Sequence, residues 1–217
     1  MTTTIENIIH DSLDPSSAIL LVEHERISSL YQLNTEMGDK FVGIYLTIVS
    51  VIIALIVALG QFGLSSDSLF PVEGALLVML LAIGTITFMR LVERRARGAE
   101  YLRAINRIHC YFANKDPNIK EYLFWPPHDD NPPIKGKGHT LSGLRSIVAM
   151  ANSLVFGLAA GILMKSLTPS LNYSILLLIG LVISLGSWFA HDKIEEKALR
   201  SIELELNKNV KYRQLSD

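Results

Sequence analysis

Six arginines crowd residues 90–112: Arg90, Arg94, Arg95, Arg97, Arg103 and Arg107. Guanidinium groups hold phosphates and carboxylates through forked donors, so Arg94, Arg95, Arg97, Arg103 and Arg107 form a candidate anion or partner surface. Lipid headgroups are the plainest anions for such a cluster, and nucleic acid enters only indirectly. A second group is Trp125, His128, Asp129 and Asp130, within Trp125-Pro126-Pro127-His128-Asp129-Asp130-Asn131-Pro132-Pro133. With His139 it offers metal-ligand types, but no spacing fixes a coordination geometry. The reading is a partner-docking loop without a metal. A third group is Asn152, Ser153, Gly157 and Gly161, joined by Thr47 and Ser50. Small residues four apart let helices approach closely in a membrane, and a polar side chain there bonds across helices or lines a wet pore. These six are candidates for helix packing or for a pore between copies. Cys110 is the one cysteine and reads as a small apolar residue in a packed helix. There is no phosphate-binding glycine loop, nucleophile elbow or pair of catalytic carboxylates. The chain reads as a non-enzyme without cofactor or metal.

The elements that carry these residues are set by hydropathy. Runs 41–62, 74–89, 146–164 and 171–190 contain no charged residue. A helix of roughly 20 apolar residues crosses a hydrocarbon core of about 30 Å. Backbone groups in lipid must bond within their own segment, so each run is expected to be a membrane helix. The chain has 217 residues and a formal net charge of −1, but its basic residues are segregated. Lys plus Arg number 2 in 1–40, 11 in 90–145, 1 in 165–170 and 6 in 191–217. Positive segments stay cytoplasmic, which predicts a multi-pass protein of the cell inner membrane with both termini in the cytoplasm. No signal peptide is expected, because no basic start precedes the first run.

Charge and periodicity then divide the chain. Residues 1–40 are expected to form cytoplasmic N-terminal helices and 41–89 a first transmembrane hairpin. Residues 90–145 hold the cytoplasmic basic helix and the proline-rich loop. A second hairpin follows at 146–190, then a cytoplasmic C-terminal helix at 191–217. Asp14-Pro15 reads as a helix start. Leu20, Ile27, Leu30, Tyr31, Met37 and Phe41 keep an apolar stripe running into the first span. The second span continues through Phe112, with Gly98 as a flex point, until Asp116-Pro117 stops it; Thr140 is a candidate cap for the third helix. Three spans thus extend into the cytoplasm and need partners for their stripes. The fold class is all-α: a four-helix transmembrane bundle with long cytoplasmic helical extensions. The partners expected are membrane lipid, further copies in a homo-oligomer, and a cytoplasmic protein.

Two resemblances touch function. Arg103-Ala104-Ile105-Asn106-Arg107-Ile108-His109 resembles the Arg–His spacing of HEPN-type ribonucleases. That likeness implies His109 as general acid/base and Arg103 on the phosphate. Six positions on a helix put the two about 120° apart, a poor geometry for one shared site. The inner segment is Glu93-Arg94-Arg95-Ala96-Arg97, Tyr101-Leu102, Asn106-Arg107-Ile108, Tyr111-Phe112, Asp116-Pro117, Tyr122-Leu123 and the proline-rich loop. Its layout resembles small multi-span membrane proteins encoded beside RNA-guided ribonucleases, RNA-editing deaminases or ATPases in bacterial antiphage operons. The resemblance implies a sensor, scaffold or pore working with a cytoplasmic effector, in antiphage or stress defence. A non-enzymatic sensor or scaffold is the leading reading, an oligomeric ion channel or pore-forming effector the alternative, and a membrane-tethered ribonuclease the third.

Overall fold

Asp14 starts the first helix by local chemistry. Its carbonyl accepts from Ala18 N–H at 3.1 Å, and its carboxylate accepts from the Ser17 hydroxyl at 2.5 Å. Pro15 follows with its φ already suited to the first turn. The computed structural model describes residues 14–61, 66–123, 128, 132 and 143–208. Helix α1 runs Pro15–Gln61 without a break. Helix α2 runs Ser66–Lys115, with Pro71 near its start. Asp116 ends it and accepts from Asn118 N–H at 3.0 Å, opening a short 3-10 segment at Pro117–Tyr122. Helix α3 runs Leu144–Leu167 and helix α4 Tyr173–Asn207.

The start of α3 departs from the sequence reading. Gly143 is the residue before the helix, at φ +156, a backbone region that a Cβ disfavours. It supplies no side-chain cap. Thr140, the expected cap, lies outside the described residues.

No strand occurs among the described residues, and the fold is all-α. Each helix carries a window long and apolar enough to cross a membrane. Those windows leave large side chains such as Val51, Val78, Leu154, Leu177 and Val182 exposed. Water would penalise so much contiguous apolar surface, and lipid does not. The protein is a multi-pass membrane protein.

The chain divides into two compact units, and α1, α2 and α4 each contribute to both. The larger comprises Glu36–Arg95 and Lys137–Ser201. Its core is made of apolar side chains, among them Val42, Leu77, Leu80, Phe88, Val148 and Leu176, with Tyr45 and Asn152 buried among them. The smaller comprises Met1–Thr35, Ala96–Gly136 and Ile202–Asp217. It is built differently: Ala96, Ala99, Cys110 and Ala113 give α2 a narrow face, and Ser17, Arg103 and Asn106 are buried beside them. Gly98 is buried here too, where an added Cβ would stand 3.4 Å from Asn34 Nδ2. The glycine expected as a flex point is a place of close helix approach within an unbroken α2.

Candidate functional site

The five arginines assigned to one surface are divided among different tasks. Arg103 is 6% exposed. Its Nε donates to the Pro132 carbonyl at 3.2 Å, and one terminal nitrogen donates to Asn207 Oδ1 at 3.0 Å. Its other terminal nitrogen lies 3.6 Å from Glu203. This side chain ties α2 to the end of α4 and is not available as surface, which corrects the sequence reading for Arg103. Arg95 is withdrawn as well: it donates to Glu195 Oε1 at 2.8 Å, and Arg145 pairs with the same carboxylate. Burial pulls the Arg95 guanidinium below its usual range, though Glu195 keeps company with two cations. Arg94 lies over the Phe41 ring at 4.9 Å, with Arg90 at 5.5 Å. Only Arg97 and Arg107 of the five are exposed. Contacts within the chain, to Phe41, Glu195, Asn207 and Glu203, account for where Arg94, Arg95 and Arg103 point.

His109 is not beside Arg103 in any shared arrangement. Its ring stacks at 5.4 Å from His24. Burial, and then the charge of His24, push the His109 pKa below the ordinary value. A general acid/base and a phosphate-holding arginine would have to converge on one reacting atom. Here one is pinned to α4 and the other packs on α1.

The proline-rich loop falls mostly outside the described residues: Trp125, Asp129, Asp130 and His139 are not among them, and His128 is half-buried. Among the described residues no group of three His, Cys, Asp or Glu could hold a metal ion. Cys110 is buried.

In the larger unit the polar candidates separate. Asn152 is 2% exposed, and its carboxamide oxygen accepts from the Tyr45 hydroxyl. An added Cβ on Gly84 would overlap the Asn152 side chain, so three helices meet at this one point. The Asn152 amide nitrogen is buried without a hydrogen-bond partner among the described residues. Thr47 and Ser50 are on the exposed side of α1, and each hydroxyl donates to its own helix, to Gly43 and Leu46 carbonyls at 2.9 Å. That pattern satisfies the hydroxyl without a partner helix. Asn152 therefore does not share a face with Thr47 and Ser50. Ser153 closes on the Ala149 carbonyl at 2.7 Å. Gly157 faces Gly180 and Ser184 of α4; a Cβ on Gly180 would come within 3.0 Å of the Gly157 carbonyl oxygen. The small residues of α3 serve helix packing inside one chain at this point.

Sequence reasoning missed a feature of α1. The expected inward stripe included Leu30, but Leu30 is exposed, while Ser17, His24, Ile27 and Asn34 are turned inward to varying degrees. The opposite face carries Ile19, Val22, Leu30 and Leu33, exposed by 68%, 56%, 38% and 54%. At about 100° per residue these four fall within an arc of about 80°. Glu23, Glu25 and Arg26 flank or interrupt them, so the face is not suited to a lipid interior. The signal was present as the spacing 19, 22, 30, 33, but the polar character of the buried face masked it.

No protein-family model, curated protein or solved structure matches the chain.

Proposed function

We propose that this membrane protein is a non-enzymatic sensor or scaffold that docks a cytoplasmic effector through its smaller unit. The observation that carries this reading is the exposed stripe Ile19, Val22, Leu30 and Leu33. Its spacings of three, eight and three keep the four side chains on one helix face, with Arg26 between its two apolar pairs, and an apolar face of this kind is what seats one helix on another or in a groove. The charges around the stripe keep it out of lipid, so its natural cover is protein. Arg97 and Arg107, exposed on α2, belong to the same unit and supply charge for recognition. In this reading the protein lies in the cell inner membrane with both termini cytoplasmic, forms a homo-oligomer, and acts in antiphage or stress defence.

The test is affinity purification in mild detergent from the native host. Wild-type protein is expected to retain one cytoplasmic protein in stoichiometric amount, and Val22→Glu with Leu33→Glu to lose it while staying monodisperse. An identical set of associated proteins for both forms would overturn the reading.

A further inference from the structure

The larger unit holds a cavity of about 990 Å³ where α2 begins, α3 ends and α4 begins. This is near the upper end of the range of about 300–1,000 Å³ for sites that take ligands. Its depth is apolar: Leu154 and Leu158 of α3 and Leu177 and Leu181 of α4 line it. These four are also exposed, so the cavity opens toward the surface on which the spans meet lipid. Its floor exists because side chains are missing. Gly157 and Gly180 bring α3 and α4 together, and at Gly161 the nearest atom to an added Cβ is the Leu176 carbonyl oxygen at 3.8 Å.

The mouth is charged in a specific way. Glu73 and Lys165 both line the cavity. Each is half-buried, and neither forms an ion pair with another described residue. Lys165 Nζ donates to the Pro169 carbonyl at 2.9 Å and the Leu171 carbonyl at 3.2 Å, and stands 4.5 Å from the centre of the Tyr173 ring. An ammonium has three protons, so this geometry fixes the cation and leaves one donor for a ligand. The charges are one positive and one negative, around a single apolar slot.

We infer that this cavity seats one phospholipid, with its phosphate on Lys165, its primary ammonium headgroup on Glu73 and an acyl chain along the Gly157–Gly161 floor. The length fits: Leu154 to Lys165 covers about 16 Å of helix, and one leaflet of a hydrocarbon core is about 15 Å deep. The charge fits as well. A purely anionic headgroup would meet repulsion from Glu73, and a quaternary ammonium has no N–H to donate to its carboxylate. A headgroup with both a phosphate and a primary amine satisfies both side chains. A second copy of the chain would bring no charged side chain to this slot from the charge-free runs of its spans and would leave both charges at the mouth unmatched.

The experiment uses the full chain in phosphatidylcholine vesicles carrying a trace of phospholipid with a photoactivatable acyl chain. The headgroup of the probe is ethanolamine, choline or glycerol in parallel samples. Adducts are mapped by mass spectrometry. The expected result is labelling concentrated on α3 and α4 between residues 154 and 184, several-fold higher for the ethanolamine probe. Glu73→Gln should erase the difference between ethanolamine and choline. Lys165→Gln should lower labelling by both, and Gly161→Leu, whose side chain enters the slot, should lower labelling by all three probes. Even labelling around all four spans would overturn the proposal. So would a headgroup preference unchanged in both Glu73→Gln and Lys165→Gln. A Leu158→Cys protein that forms a disulfide dimer at this face, and takes no label there, would assign the slot to a second copy and overturn it too.

Discussion

The Tyr45 hydroxyl donates to the carboxamide oxygen of Asn152 across 107 positions of sequence, joining α1 to α3 in the interior of the membrane unit. Gly84 of α2 makes room for that pair, since a Cβ there would overlap the asparagine. Hydrogen bonds between membrane helices contribute about 0.6 kcal/mol on average and up to about 2 kcal/mol. Tyr45→Phe is therefore expected to destabilise the larger unit by about 1 kcal/mol. Gly84→Ala should cost more, about 1–3 kcal/mol, because the methyl must displace a buried polar side chain. Reversible unfolding in mixed micelles of graded denaturing-detergent content measures both. A Gly84→Ala protein as stable as wild type would show that α2 does not close on this pair.

Arg103 supports the smaller unit. Removing one partner of a buried, hydrogen-bonded ion pair costs about 3–5 kcal/mol, and Glu203 is partly exposed, so Arg103→Ala should cost about 3 kcal/mol. Arg103→Lys should not restore it, because one ammonium cannot reach Pro132, Asn207 and Glu203 in the forked arrangement. Limited proteolysis of the residues 96–123 in each variant reads the loss. Wild-type resistance in Arg103→Ala would remove the pin.

Acid should loosen the same unit. The folded His109 pKa lies below the ordinary value of 6.5, through burial and the nearby His24. The folded chain thus binds fewer protons than the unfolded chain as pH falls through that value. Stability is full above it, is lost as pH drops from it, and stops falling below the depressed folded pKa. Thermal melting across this interval should show the decline in wild type and a flatter profile in His109→Gln. Equal slopes would place the acid sensitivity elsewhere.

Thr47 and Ser50 bond their own helix, and Asn152 is buried on another face. Liposomes containing the protein alone are expected to pass ions no faster than empty ones. Ion flux that scales with the reconstituted oligomer, and falls in Thr47→Val with Ser50→Ala, would establish a channel instead.

The fold was readable because its strongest determinants are local. Charge-free runs, the start at Asp14-Pro15 and the stop at Asp116-Pro117 are written in consecutive residues, and α1 begins and α2 ends where those residues predict. The site was less readable because it depends on which faces meet. Nothing in the spacing of Arg94, Arg95, Arg97, Arg103 and Arg107 says that Glu195, Glu203 and Asn207 of α4 will claim two of them. Likewise Asn152 announces a need for a partner but not that Tyr45 meets it. On α1 the inward face includes the polar Ser17, His24 and Asn34 beside Ile27, so hydropathy alone selected Leu30 for the wrong side.

The proposed function stands or falls on whether a second, cytoplasmic protein covers the Ile19–Leu33 stripe. A photo-crosslinking residue placed at Val22, in whole cells, reports what lies against that face, with the same residue at Leu177 on the membrane unit as control. One discrete adduct with a soluble protein is expected from position 22 and none from position 177. Adducts from position 22 only with lipid, or none at all, would contradict it.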